Sequence, residues 1–240
     1  MTAAWQSLTL YLSPPYGCSY LPEQIATNAV IDPSAELSPA LYNHLLNKGF
    51  RRSGNLVYRP HCKDCQACIA TRIPVEDFQP SRNQRRTWKR NQDLTVTSTP
   101  ARHTEEYFDL YKRYLGQRHP GGGMENPTPE SFEDFLLTDW GETIFIEFRN
   151  KEKLLGVAVA DVIPDGFSAM YTFFDPTASK RSLGTYAVLW LIETARRENK
   201  PWVYLGYWIE SCQKMQYKTR FQLIEGFQGG EWQLLSDKPI

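Results

Sequence analysis

The second half of the chain alternates between strand-like and helix-like spacing of apolar residues. LTVTS (94–98) has the two-residue alternation of a strand, whereas TEEYFDLYKRYLGQRH (104–119) and TPESFEDFLL (128–137) carry apolar side chains at helical spacing. In the second of these helices, Thr128 suits the N-cap and Pro129 the first helical position. The pattern predicts one strand followed by two helices.

Three apolar runs follow in close succession, and each has the length of a strand. They are TIFIEFR (143–149), LLGVAVADVI (154–163) and FSAMYTFF (167–174), separated by turn-forming residues at 150–152 and 164–166. Because such short connections join antiparallel strands, the three runs predict a meander. An amphipathic segment comes next, which predicts a long helix over 182–198, then a strand at 202–208 and a short helix at 209–217.

The first 90 residues show much less periodicity and are rich in Pro, Cys and Arg. Their one clear helix is SPALYNHLLNK (38–48), with Ser38 as N-cap and Gly49 beyond its end. We therefore expect two parts, namely a small irregular cysteine-containing domain at 1–90 and a regular domain at 91–240.

The order of the predicted elements favours an α+β fold with a mostly antiparallel sheet. Strand, two helices, three antiparallel strands, helix, strand, helix and strand is the order of the GNAT acyltransferase fold. In that fold the loop before the long helix turns backbone N–H groups toward a phosphate of the acyl donor. SKRSLGTY (179–186) lies at this point, so we expect a GNAT-like acyltransferase domain.

The composition describes an ordinary globular chain with one unusual region. Its 240 residues are 41% hydrophobic and carry no net charge, and no stretch approaches 18 consecutive apolar residues. The N-terminus lacks the features of a secretory signal, so we expect a cytoplasmic protein. Between Arg51 and Arg90, however, ten Lys or Arg face three acidic residues. Such a patch can bind a phosphate backbone while the whole molecule stays neutral, although a solvated surface is an alternative.

Five stretches together resemble the arginyl-tRNA–protein transferase family, in particular its short bacterial branch of aspartate/glutamate leucyltransferases. They are YRPHCKDCQACIATRIPV (58–75), RNQRRTWKRNQDL (82–94), YKRYLGQRHPGGGM (111–124), YTFFDPTASKRSLGTYAVLWLIE (171–193) and YLGYWIESCQKMQYKTRF (204–221). They cover both halves of the chain in the order of the family. The resemblance implies a cysteine-containing domain followed by a GNAT-like domain whose donor is an aminoacyl-tRNA.

The implied reaction moves leucine from leucyl-tRNA to the α-amine of proteins with N-terminal Asp or Glu. The partners would be leucyl-tRNA and those proteins, with neither DNA nor a membrane involved. An aminoacyl ester is already activated, so the chemistry requires no cofactor and no covalent nucleophile. Three alternatives are the same reaction with arginyl-tRNA, a GNAT acyltransferase that uses acyl-CoA, and a metal-bearing nucleic-acid adaptor.

Four cysteines are candidate metal ligands. Three of them form a C-x2-C-x2-C run, which can hold three corners of an iron–sulfur cluster with a distant fourth ligand. Zinc bound by the three thiolates and either the fourth cysteine or His61 is also chemically possible. Reduced thiols that pack a small domain are the alternative. The four candidates are Cys18, Cys62, Cys65 and Cys68.

Basic residues surround Trp88, an aromatic side chain that could stack on an unpaired base of the tRNA acceptor end. The alternative is a surface helix with Trp88 turned inward. The candidates for tRNA contact are Arg82, Arg85, Arg86, Lys89 and Arg90.

Asp175 lies between a strand and the SLG loop, where it could hold or deprotonate the incoming amine; a turn-forming Asp-Pro is the alternative. Asp161 could play the same role or pair with a neighbour. Tyr171 joins them as a catalytic candidate, placed beside the donor ester.

Reading an acidic acceptor requires a cation, and holding the donor ester requires a scaffold. The cation candidates, each of which could instead be structural, are Arg72, Arg118, His119 and Lys218. The scaffold candidates are Ser182, Gly184 and Tyr204, with backbone N–H groups near Gly184 facing a phosphate or carbonyl oxygen.

Overall fold

The computed structural model describes residues 8–118 and 126–235. The first part of the chain forms β1 (Leu10–Leu12), β2 (Tyr16–Gly17), β3 (Ile25–Ala26), β4 (Asn28–Ile31), α1 (Pro39–Asn47), β5 (Arg51–Ser53), β6 (Leu56–Pro60), β7 (Ile69–Pro74) and α2 (Arg82–Arg90). The second part forms β8 (Thr95–Pro100), α3 (Glu105–Arg118), α4 (Pro129–Leu136), β9 (Glu142–Asn150), β10 (Lys153–Ile163), β11 (Gly166–Phe174), α5 (Leu183–Arg197), β12 (Trp202–Trp208), β13 (Glu225–Gln228) and β14 (Glu231–Leu234). No helix among these residues combines the length and apolarity needed to cross a bilayer.

A large sheet of eight strands in the order β14-β13-β7-β12-β11-β10-β9-β8 organises the molecule. Neighbouring strands are antiparallel except β11 and β12, which run parallel. The predicted meander is confirmed as β9, β10 and β11, and the predicted mixed fold with a mostly antiparallel sheet is confirmed with it.

Helices cover both faces of this sheet. Alternate residues of β10 show why its apolar run is continuous: Val157 and Val159 pack with α3 and α4, whereas Ala158 and Ala160 pack with α5. α1 packs over a third cluster that joins the first part of the chain to the large sheet through Tyr204. The sheet is therefore buried on two sides at its centre.

The helix predicted over 38–48 is confirmed, and the Ser38 hydroxyl caps it by accepting from the Leu41 N–H. The prediction that the first 90 residues are otherwise irregular is wrong in part. A four-stranded sheet in the order β1-β4-β6-β5 forms there, with β2 and β3 as a separate pair. These strands have two to five residues, too few for alternation to be recognised.

One strand of the first part of the chain belongs to the large sheet. β7 pairs with β12 on one side and with β13 on the other. The helix predicted at 209–217 is instead a 3-10 segment at Gln213–Arg220. The division of the chain into domains at residue 90 stays a prediction, and β7 crosses it.

Candidate active site

A gap opens in the middle of the large sheet where its two parallel strands separate. β11 and β12 pair only through Gly166–Ser168 and Trp202–Tyr204, although both strands continue beyond these residues. The guanidinium of Arg51 occupies this gap and donates from Nη2 to the Ala169 carbonyl at 2.8 Å. On the β12 side, a β-carbon built on Gly206 would stand 3.5 Å from Nε and Nη2 of Arg51. The side chain therefore bridges the two separating strands.

Lys218 lies beside Arg51, on the 3-10 segment that follows β12. It is 7% exposed, and its Nζ donates to the Tyr207 carbonyl. Burial disfavours the charged amine and the neighbouring Arg51 repels it, so the pKa of Lys218 falls to about 7. The predicted cation candidate is thus a buried amine in the strand gap.

Tyr171 lies on β11 within a group of aromatic rings. Its ring makes edge contacts with Tyr114 and Phe135 at centroid distances of 6.2 and 5.3 Å. The hydroxyl is buried and has no hydrogen-bond partner among the described residues. Burial raises the pKa of Tyr171, with the nearby Arg118 opposing that shift. The group is therefore a protonated, unpaired donor at neutral pH.

Asp175 follows β11 directly and is held by several donors. Its carboxylate accepts from the N–H and hydroxyl of Thr177 at 2.9 and 2.6 Å, and Lys153 Nζ lies at 2.9 Å. Burial alone would raise the pKa of Asp175, but the hydrogen bonds from Thr177 and Lys153 lower it to about 2. This geometry is that of the turn-forming alternative, and a carboxylate with so low a pKa is a weak base.

Asp161 lies apart from these residues in a buried ion pair. Its carboxylate accepts from Arg52 Nε at 2.9 and 3.0 Å and from the Thr143 hydroxyl at 2.9 Å. The Arg52 side chain is fully buried. This arrangement matches the alternative expectation that Asp161 pairs with a neighbour.

Arg72 and Tyr204 belong to another buried network. Arg72 Nε pairs with Glu225 at 2.7 Å, and its guanidinium stacks on Trp202 at 3.5 Å from the ring centroid. Both Arg72 Nη1 and the Tyr204 hydroxyl donate to Asn47 Oδ1, at 2.9 and 3.0 Å. Nε and Nη1 of Arg72 are therefore directed at protein partners.

The C-terminal end of α3 approaches the strand gap. Arg118 is exposed there, and its charge lowers the pKa of Tyr171 and Tyr217 against the effect of burial. His119, the neighbouring candidate, lies outside the described residues. Arg118 thus acts electrostatically on Tyr171 and on Tyr217, the residue before Lys218.

Ser182 opens α5 in the left-handed conformation, with φ 54° and ψ 47°. Its side chain makes no capping hydrogen bond, and Gly184 follows within the first turn. Three hydrogen bonds join this opening to the end of α2: Arg90 donates to the Lys180 carbonyl, Asn91 Nδ2 donates to the Arg181 carbonyl at 2.9 Å, and Arg181 Nη1 donates to the Arg90 carbonyl at 3.4 Å. The predicted donor loop is therefore attached to the basic helix.

α2 forms because Ser81 and Gln84 make a reciprocal capping box. Its buried residues Gln84 and Thr87 face the protein, and Trp88 packs against Tyr186 of α5 at 5.4 Å between ring centroids. Trp88 is thus turned inward, as the alternative proposed. The five basic candidates are all exposed; they are Arg82, Arg85, Arg86, Lys89 and Arg90.

The four predicted ligand cysteines line a single cavity of about 720 Å³. Burial, followed by the charges of the other cysteines, raises the pKa of the Cys68 thiol to about 12. Among residues 8–118 and 126–235, however, no three His, Cys, Asp or Glu side chains are arranged to hold a metal ion. Four thiols suit a soft metal, but their present arrangement does not hold one, so no chemical step is assigned to it. The iron–sulfur cluster or zinc ion stays a prediction.

Two family models match most of the chain. Residues 16–86 match the N terminus, and residues 106–228 match the C terminus, of arginine-tRNA-protein transferase. The chain belongs to this family. It is therefore a transferase enzyme.

Curated relatives of this transferase are similar over their whole length. An aspartate/glutamate leucyltransferase of Nitrosococcus oceani is 53% identical, covering 99% of this chain and 100% of that one. The protein of the same name from Pseudomonas aeruginosa is 50% identical over 95% and 97% of the two chains. Among solved structures, L-PGS from Bacillus licheniformis has a TM-score of 0.43 and 10% identity, covering 63% of this chain and 50% of that one.

Sequence reasoning missed two arginines of the transferase. Arg51 occupies the strand gap, and Arg52 pairs with Asp161. No local signal marks them, because their partners Ala169 and Asp161 lie more than a hundred residues away in the sequence.

Proposed function

We propose that this transferase moves leucine from leucyl-tRNA to the α-amine of proteins that begin with Asp or Glu, in the cytoplasm. The observation that carries the proposal is the near-full-length similarity to curated aspartate/glutamate leucyltransferases. The GNAT-like arrangement belongs to the same proposal. It is supported by the order of the meander, α5 and β12 in the large sheet.

The reaction forms one bond and breaks one. The neutral α-amine attacks the ester carbonyl of the aminoacyl-tRNA, and the tetrahedral intermediate then releases the ribose hydroxyl of the tRNA and leaves a new peptide bond. A proton must leave the amine, and the oxyanion and the departing oxygen need hydrogen-bond donors. The resulting peptide extends the acceptor protein by one leucine.

Tyr171 suits the donor role in this scheme. Its hydroxyl stays protonated near neutral pH and has no partner among the described residues, so it is free to donate to the ester or the departing oxygen. Asp175 stays ionised beside Lys153 and orders the turn that leads to α5. The fixed position of this turn supports a positioning role for Asp175 rather than proton transfer.

The exposed face of α2 suits the tRNA. Its five cations adjoin the loop that opens α5, because Arg90 and Asn91 bond to carbonyls of that loop. A phosphate backbone lying along α2 would thus bring the acceptor end toward the first turn of α5, where backbone N–H groups are unpaired within the helix.

The testing experiment is transfer of radiolabelled leucine and, separately, arginine from charged tRNA to peptides that begin with Asp, Glu, Lys or Ala. We expect leucine to reach only the Asp and Glu peptides, and RNase treatment of the tRNA to abolish the signal. The matching family model is named for arginine-tRNA, so competition between leucyl-tRNA and arginyl-tRNA decides which of them is the donor. Transfer of arginine alone would overturn the leucine assignment, and transfer of neither would overturn the proposal.

A further inference from the structure

Two arginines that are adjacent in β5 meet opposite electrostatic surroundings. Arg52 is buried against the carboxylate of Asp161. Arg51 is also buried, at 8% exposure, but it makes no ion pair within 4 Å among residues 8–118 and 126–235. A buried guanidinium without a carboxylate is costly, so its retention calls for a partner from elsewhere.

The unused bonding capacity of Arg51 is specific. Nη2 donates to the Ala169 carbonyl, but Nη1 is buried and has no hydrogen-bond partner among the described residues. A guanidinium presents parallel N–H groups that match the two oxygens of a carboxylate, so the unpaired Nη1 can donate to a carboxylate. Its fixed bond to β11 holds the fork in place at the strand gap.

A second buried cation adjoins the first. Lys218 Nζ lies in the field of Arg51 and donates one hydrogen bond, to the Tyr207 carbonyl. Among the described residues, Arg51 lowers the pKa of Lys218 and Cys212 raises it. Neither Arg51 nor Lys218 has an ion pair with a carboxylate in the part of the chain that the structure describes, so the niche is doubly basic and suits a carboxylate supplied by a ligand.

The position of this niche connects it to the reaction. Arg51 contacts β11 at Ala169, two residues before Tyr171, whose unpaired hydroxyl is assigned to the donor ester. β11 is irregular at this point, because Ala169 and Tyr171 pair with Ala160 and Val159, which are adjacent in β10. Such irregularities re-aim side chains and are common next to active sites.

We propose that Arg51, with Lys218 beside it, binds the side-chain carboxylate of the N-terminal Asp or Glu of the acceptor and so determines its specificity. This assignment rests on the proposed function. It requires Arg51 Nη1 to donate to the carboxylate and the Lys218 ammonium to complete the neutralisation of its charge. An amide in place of the carboxylate would leave both cations unneutralised.

The test measures kcat and KM for leucine transfer to matched peptides that begin with Asp or Asn, using the wild type, Arg51→Met and Lys218→Met. For Arg51→Met we expect KM for the Asp peptide to rise about 30-fold or more, because one partner of a buried charged pair is lost. The preference for Asp over Asn should fall toward equality, while binding of leucyl-tRNA to the protein should not change.

Lys200→Met is the matched control, because Lys200 also donates to main-chain carbonyls, at 2.7 Å from Nζ to Ile163, but lies outside the gap. It should keep the preference of the wild type. Arg51→Lys keeps a cation in the niche and should fold if Arg51→Met does not; its KM for the Asp peptide should rise while Asp stays preferred over Asn.

The outcomes separate the two proposals. Failure of the wild type to transfer leucine to any peptide would overturn the proposed function. A wild type that transfers to Asp, together with folded Arg51 variants that keep an unchanged KM and Asp preference, would overturn the assignment of Arg51 alone.

Discussion

Arg52 and Asp161 form the most completely buried ion pair among the described residues, and its role is structural. Arg52→Met would leave the Asp161 carboxylate buried without its cation, so we expect the free energy of unfolding to fall by about 3 to 5 kcal/mol. Urea denaturation measures this change. Arg197→Gln is the control. Because the salt bridge of Arg197 to Glu193 is exposed, its loss should lower the free energy of unfolding by about 0.5 kcal/mol or less. Equal effects of the two substitutions would contradict the structural role.

Asp175 makes stability depend on pH in a defined window. Its pKa falls from an ordinary 3.8 to about 2 on folding, so the carboxylate stabilises the fold above pH 3.8 and loses this effect as the pH falls toward 2. We expect Asp175→Asn to lower the free energy of unfolding at pH 7 by about 1 to 2 kcal/mol. Denaturation of both proteins between pH 2 and 7 measures the difference, which should shrink below pH 4. A difference that is constant with pH would refute the ionic origin.

At the scale of single residues, the sequence offered Lys218 and Tyr171 as candidates but could not show the surroundings that distinguish them. Lys218 is a buried amine and Arg118 an exposed guanidinium, yet each is simply a cation in the sequence. The sequence did not single out Arg51 for the same reason. Its surroundings are formed by Ala169 and Gly206, which are more than a hundred residues distant in sequence. Pairing is a property of three-dimensional neighbours, which local patterns do not contain.

At the scale of elements, α2 carries the prediction about tRNA. Three of its cations make no hydrogen bond or ion pair within the described residues, so replacing them should alter ligand binding without altering the fold. The triple variant replaces Arg82, Arg86 and Lys89 with Gln. We expect weaker binding of leucyl-tRNA. In a plot of log affinity against log salt concentration, the magnitude of the slope should fall by up to about 3.

Filter binding at several salt concentrations measures this slope. A control triple variant removes exposed cations elsewhere, namely Arg102, Lys112 and Lys151. Its slope should equal that of the wild type. If both triple variants reduced the slope equally, the effect would be one of net charge, and α2 would have no special place in the interface.

Long elements of the second half were predictable because each combines periodicity with a boundary signal. α4 begins at Pro129 behind the Thr128 cap, and β10 is a continuous apolar run. The short strands of the first part were not predictable, because two to five residues carry no measurable period and the sheet forms through pairings distant in sequence. The pairing of β7 with β12 and β13 is of the same kind.

At the scale of the whole molecule, β7 makes the two parts of the chain interdependent. A fragment of residues 91–240 would lack the strand that joins β12 to β13, so both would lose a pairing partner in the sheet. We expect this fragment to show no cooperative thermal unfolding by circular dichroism, whereas the whole chain does. Cooperative unfolding of the fragment alone would support the predicted division at residue 90.

The position of β7 also has a consequence during synthesis on the ribosome. Its partner β12 is made roughly 130 residues later, and β13 later still. At about 5 to 20 residues per second, β7 waits on the order of 10 s before either strand exists. For that interval the nascent chain presents an unpaired strand beside four reduced cysteines, so this early segment is where a chaperone that recognises exposed strands would be most useful.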